Sequence, residues 1–171
     1  MFLFTFVILA CSLTININQQ QYNGYDYDSI LNSYGSSINT IKSLVVIEGD
    51  FTLTSITKQY TQLSTLEIPE TSFTGSIPDD KFKDMISLQS IILNGVTSIG
   101  SNSFQNCIQL ETIQFSSCLT IGNYAFSGCQ MLKTVNLPKL TTIGAYGFEK
   151  AGITEIELNS VFILNTKLDL L

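Results

Sequence analysis

Apolar and polar positions alternate in a short pattern that returns with a 22-residue period through the second half of the chain. Three segments beginning at Leu88, Leu110 and Leu132 superimpose without a gap. Each runs leucine, two residues, Ile or Val, one residue, then Leu or Phe: Leu88-Ile91-Leu93, Leu110-Ile113-Phe115 and Leu132-Val135-Leu137. Six residues further on stands an Ile-Gly pair (Ile99-Gly100, Ile121-Gly122, Ile143-Gly144), and four after that glycine an aromatic (Phe104, Phe126, Phe148). Cys107, Cys129 and Ala151 close the units. The alternation predicts a short strand whose second and third apolar residues point inward. The period predicts a stacked solenoid, in which each unit buries its apolar face only against its neighbours. A stack of this kind offers one long surface and no enclosed pocket.

The period extends both ways. Ile153-Ile156-Leu158 repeats the opening downstream, one residue short of the full period. Upstream, Leu63-Leu66-Ile68 leads to Ile77 and Phe82, with three extra residues between Pro69 and Ser76. Pro69, Gly75 and Pro78 punctuate that insertion, which predicts a loop bulging from one face. Ile41-Leu44-Val46 with Ile56 and Tyr60 fits more loosely. The expectation is five to six turns: six that carry a strand, five of them complete, and degenerate units at the two ends.

The stretch from Leu110 to Cys129, and equally that from Leu132 to Phe148 with Pro138 after its strand, resembles a repeat of the BspA-like (Treponema pallidum type) leucine-rich repeat proteins. The likeness spans residues 41 to 160 and is most specific from 88 to 151. It departs at Ala151, where the cysteine is missing, and across 41 to 82, where Ile-Gly is absent. The resemblance implies a curved leucine-rich repeat solenoid. Short parallel strands would line one face, with irregular or short helical segments opposite. It further implies a secreted or surface-displayed binding role, with a host protein or extracellular matrix component as ligand.

Apolar repeat positions read as packing. The aromatic fills the broad interior of each coil. The glycine serves a turn that needs either positive φ or close backbone approach. Function then falls to the outward strand positions: Thr65 and Glu67; Ser90, Ile92 and Asn94; Thr112, Gln114 and Ser116; Thr134 and Asn136; Glu155 and Glu157. Hydroxyls and amides dominate this row, with carboxylates toward its ends. Such groups can hydrogen-bond a ligand laid across the sheet, and they equally keep any solvated strand soluble. The candidate ligand-binding set is Ser90, Ile92, Asn94, Thr112, Gln114, Thr134, Asn136, Glu155 and Glu157.

Charge removes several classes of partner. The net charge is −6, charged residues make up 13% of the chain, and no Lys/Arg cluster occurs. Nucleic acid and anionic membrane surfaces therefore lack an electrostatic footprint. With no His, triads, Cys-His pairs and His-bearing metal sites are impossible. No phosphate-binding glycine loop and no calcium loop appears. Asp79-Asp80-Lys81 reads as a solvated turn. Glu155 and Glu157, about 7 Å apart on one strand face, would suit glycoside chemistry only inside a pocket. The expectation is a non-catalytic protein without cofactor or metal.

Met1 to Ala10 is hydrophobic apart from Thr5, a length that fits a signal-peptide core and is short for a membrane span. Small residues at Ala10 and Ser12 place cleavage after Ser12. Lipid attachment at Cys11 and an uncleaved anchor to Ile17 are the rivals. The domain scheme is a signal peptide at 1–12, a polar linker and N-terminal cap at 13–40, the repeat domain at 41–160, and a C-terminal cap or tail at 161–171. Within the linker a short helix is expected around Asp28 to Tyr34, and Val161 to Leu164 would add a strand.

Cys107 and Cys129 share one repeat position in adjacent coils, within disulfide range of about 5 Å between Cα atoms. A ladder of small buried thiols fits the same spacing. Cys118 lies outside that ladder and would be open to pairing between chains. Taken together, the residues favour a secreted, adhesion-type binding module on the cell surface or outside it. The alternatives are an intracellular protein-interaction scaffold and a structural or truncated family member without a dedicated ligand.

Overall fold

In the computed structural model, residues 13–17, 20–24, 35–48, 53, 56, 59–157 and 163–164 are described. The expected signal segment 1–12 and the helix expected at 28–34 lie outside them.

Leucine, isoleucine and valine at the predicted inward positions build the first face of the solenoid. Its strands are β1 (Leu13–Ile17), β2 (Gln20–Gly24), β3 (Ser43–Glu48), β4 (Thr65–Ile68), β6 (Ser90–Leu93), β8 (Thr112–Gln114), β10 (Thr134–Asn136) and β12 (Glu155–Glu157). The last six are the strands that the repeat predicts. In β4 and β6, Leu66, Ile68, Ile91 and Leu93 are buried, and the residues between them are half-buried or exposed. From β3 to β8, and again from β10 to β12, successive strands pair in parallel with the repeat in register: Leu44 opposite Leu66, Leu66 opposite Ile91, Ile91 opposite Ile113, Val135 opposite Ile156.

A second sheet runs along the stack where irregular or short helical segments were expected. It consists of β5 (Gly75–Ile77), β7 (Val96–Ile99), β9 (Thr120–Ile121), β11 (Thr142–Ile143) and β13 (Ile163–Leu164), in the order β13-β11-β9-β7-β5. The Ile of each Ile-Gly pair is its inward residue, and Ile77, followed by Pro78, takes the same place, so that Ile77, Ile99, Ile121 and Ile143 are all buried. Strands of two residues carry too little alternation to announce themselves. Four coils carry a strand in each sheet and a buried aromatic, those beginning at Leu63, Leu88, Leu110 and Leu132. The looser unit at Ile41 buries Ile56 and Tyr60 but shows no second-sheet strand among the described residues.

The third side of each coil is a run of turns that carries the aromatics inward. Phe82, Phe104, Phe126 and Phe148 form one continuous stack, with centroids 5.1, 5.0 and 5.2 Å apart and planes within 12° of parallel. Val96, Cys118 and Leu140, spaced by the same period, make a second buried row.

Close backbone approach, not positive φ, explains the Ile-Gly glycines. A Cβ at Gly122 would sit 2.6 Å from Ser101 N, and one at Gly144 would sit 2.7 Å from Asn123 N. Each glycine N–H donates to the isoleucine carbonyl one coil earlier, at 2.7 Å for both Gly122 and Gly144. Positive φ falls elsewhere, at Asp80, Asn102, Tyr124 and Tyr146, and at Asp84, Asn106, Gly128 and Lys150, two rows that each follow the repeat period.

Two further expectations change. The insertion after Pro69 does not bulge free: Phe73 packs against the core, and its carbonyl lies where a Cβ on Gly95 would be, at 1.9 Å. Leu13–Ile17 and Gln20–Gly24, within the segment expected to be polar linker and N-terminal cap, form an antiparallel hairpin. Strand β1 of that hairpin pairs antiparallel with β3, and Ile17 enters the core. Leu13, Ile15 and Ile17 alternate with polar residues, a strand signal that the abundance of Asn and Gln obscured.

Candidate strand-face binding site

The outward row lies on the first sheet and is polar for most of its length. Thr112, Gln114, Thr134, Asn136 and Glu155 are exposed, and Ser90 and Ile92 are half-buried. Glu157 belongs to β12, but its side chain lies outside the described residues. Asn94 departs from the expected row. It sits in the turn after β6, where its carbonyl and Oδ1 both accept from Ser116 Oγ at 3.3 Å. Asn94 and Ser116 thus tie two turns together and do not extend the strand face.

A repeated backbone contact holds the strands of this face together. Two consecutive N–H groups before or at the start of each strand donate to one carbonyl in the preceding coil. Ser64 and Thr65 donate to Lys42 O, Gln89 and Ser90 to Ser64 O, Glu111 and Thr112 to Gln89 O, and Thr154 and Glu155 to Lys133 O, all at 2.8–3.1 Å. At one step the series stops. Among the described residues no such bond runs from Lys133 or Thr134 to Glu111, and β8 is not paired with β10. The first sheet accordingly divides into β2-β1-β3-β4-β6-β8 and β10-β12. The second sheet stays continuous across the same step, with Thr120 opposite Thr142. Pro138 offers no N–H and no hydroxyl at the position where Ser116 Oγ reaches Asn94 one coil earlier.

An open groove of about 270 Å³ lies at this division. Glu111, Thr112, Ile113, Thr134, Val135, Asn136 and Glu155 line it. Four of the sequence-predicted residues therefore converge here: Thr112, Thr134, Asn136 and Glu155. Ser90, Ile92 and Asn94 lie away from it on the neighbouring coil, and Gln114 is on β8 but does not line the groove. Glu111 was missed. It precedes β8, outside the period-two pattern that selected the outward row, and only the split between strands gives it a groove to face.

No described group of three or more His, Cys, Asp and Glu residues is placed to hold a metal ion. Cys107, Cys118 and Cys129 are free thiols, all fully buried. Cys107 Sγ donates to Phe82 O at 3.0 Å, and Cys129 Sγ to Phe104 O at 3.2 Å. In place of a Cys107–Cys129 disulfide there is thus a ladder, in which each thiol satisfies an aromatic residue's carbonyl one coil earlier. Burial pushes Cys107 and Cys118 up to about 12, and Cys129 rises for the same reason. Cys118 donates to Thr120 O at 3.4 Å and is closed to pairing between chains. No helix among the described residues is long and apolar enough to cross a membrane.

Six copies of the BspA type leucine-rich repeat region match residues 51–167. The chain belongs to the BspA-type leucine-rich repeat family. No curated protein matches it. Among solved structures it is similar to a leucine-rich repeat protein from Bacteroides ovatus ATCC 8483, at 23% identity and a TM-score of 0.48. The match covers 90% of this chain and 37% of that one, so the chain spans little more than a third of its length. BspA-type leucine-rich repeats are protein-interaction modules, generally non-catalytic, in a family that is often secreted or surface-displayed.

Proposed function

We propose that this BspA-type chain is a secreted or surface-displayed, non-catalytic module that binds protein or matrix ligands through its strand face, in the manner of an adhesin. The observation that supports this most directly is the open groove between β8 and β10, which gathers Thr112, Thr134, Asn136 and Glu155 on one side of a rigid stack. Affinity would come from several polar contacts on a pre-formed surface, whose ordering cost is already met by folding. Polar side chains of low charge suit that use better than a single buried anchor.

The test has two arms. Fractionation of the native protein with sequencing of its amino terminus is expected to place a terminus near Leu13 in the secreted or surface fraction. An intact Met1 in the cytosol would sink the extracellular half of the proposal. Separately, immobilised collagen, laminin and fibronectin are probed with the native chain and with a Thr112→Ala/Gln114→Ala/Thr134→Ala variant. Binding that disappears in the variant, with circular dichroism and unfolding midpoint unchanged, supports the strand face. Undiminished binding by the variant removes it.

A further inference from the structure

The division of the first sheet leaves particular atoms without their usual partners. In the repeat, two adjacent N–H groups converge on one carbonyl, so a pair of donors aimed at a single acceptor is built into every coil. Lys133 N and Thr134 N are such a pair, and among the described residues neither reaches Glu111 O. Of these, Thr134 and Glu111 line the groove and bring to it one such N–H and the carbonyl that would have accepted it. Backbone donors and acceptors without internal partners at a sheet division are what an incoming extended chain uses when it binds by main-chain hydrogen bonds.

The side chains select the kind of chain. Glu111 and Glu155 both line the groove and both are exposed. The ion pairs among the described residues are Lys83–Asp80 and Lys150–Glu149, so neither groove carboxylate is neutralised by one. Lys133 is exposed at the start of β10 but does not line the groove. The whole chain carries −6, which adds a longer-range preference of the same sign. Ile113 and Val135 form the apolar floor, and the flanking threonines supply hydroxyls.

We infer that the groove between β8 and β10 docks an extended protein segment bearing a Lys or Arg. A main-chain carbonyl of the segment accepts from Thr134 N, and its cationic side chain sits between Glu111 and Glu155. This rests on the strand face being the binding surface and adds what that surface selects. Arginine suits the position better than lysine, because its planar fork can address both carboxylates.

The experiment uses the full chain, isotope-labelled, and three acetylated and amidated nonapeptides of Ser, Thr and Val that differ only in a central Arg, Gln or Glu. The Arg peptide is expected to bind and to shift the amide resonances of residues 111–113 and 133–135, including Lys133 and Thr134. Glu111→Gln/Glu155→Gln is expected to weaken it about three- to tenfold, and added salt to weaken it further. Equal binding of the Gln or Glu peptide would overturn the charge selection while leaving the groove in use. Shifts confined to other coils, or no shifts at millimolar Arg peptide, would overturn the inference entirely. None of these failures touches the strand-face proposal, which is scored with folded matrix proteins and with variants that leave both glutamates in place.

Discussion

The ring of Phe104 lies 5.0 Å from that of Phe126, with only 3° between their planes. Each ring also stacks on a further neighbour, Phe82 on one side and Phe148 on the other. A coil this thin has no second layer to refill the space, so truncation leaves its cavity open. Phe126→Ala is expected to destabilise the fold by about 3–5 kcal/mol, and Phe126→Leu by distinctly less. Because the rings touch, Phe104→Ala/Phe126→Ala should depart from additivity. Urea unfolding of the two single variants and the double variant measures both quantities.

Glycines in this chain divide into two kinds that substitution will separate. At Gly122 an added Cβ would meet Ser101 N at 2.6 Å and Gly100 C at 2.7 Å, both backbone atoms of the preceding coil. Gly122→Ala is expected to cost about 1–3 kcal/mol or more, since the coils must move apart. Gly128 has positive φ, but its repeat mates Asp84, Asn106 and Lys150 hold the same conformation with side chains. The nearest obstacle there is the side-chain oxygen of Asn106, at 2.9 Å, which can rotate away. Gly128→Asn is expected to change the unfolding midpoint little. Retention of full stability by Gly122→Ala would show that the coil spacing is not set by this contact.

Much of this fold was legible because a repeat multiplies weak signals. One Leu-x-x-Ile-x-Leu segment is ambiguous, but six strands follow from it once the period is seen. The aromatic stack and the thiol ladder were visible for the same reason. What stayed hidden lacks either length or local chemistry. Thr120–Ile121 and Thr142–Ile143 are too short to show alternation. The division between β8 and β10 is a relation between coils, and Glu111, which only that division brings to the groove, could not be singled out before it. Asn94 looked like an outward strand residue because alternation continues past Leu93, whereas the backbone turns there.

Tyr124 and Tyr146 occupy a row whose other members are Asp80 and Asn102, and all four have positive φ. Asp and Asn tolerate this region; an aromatic residue does so at a cost of about 1–2 kcal/mol. The two tyrosine rings stack at 4.9 Å, which returns about 0.5–1.5 kcal/mol. The opposing effects are of similar size and Tyr146 is exposed, so Tyr146→Asn is expected to shift stability by less than about 1 kcal/mol in either direction. That contrasts with the loss expected for Phe126→Ala, although both remove one stacked ring. Calorimetric midpoints of the two variants make the comparison, and a Tyr146→Asn loss as large as that of Phe126→Ala would deny the backbone strain.

The buried thiols give the protein an alkaline limit. Burial raises Cys107 and Cys118 to about 12 from an ordinary value of 9.0, while the unfolded chain keeps the ordinary value. The folded state therefore holds protons that the unfolded state has already lost between these pH values. Stability from this source is fully present below about pH 8.5 and falls as pH rises toward the folded value, by about 1.4 kcal/mol per pH unit for each thiol. Unfolding midpoints followed from about pH 8 to about pH 11 should decline. Cys107→Ala should flatten the slope after allowance for its lower starting stability, because one of the titrating groups is gone. An unchanged slope in Cys107→Ala would remove the Cys107 thiol as a cause of the alkaline loss.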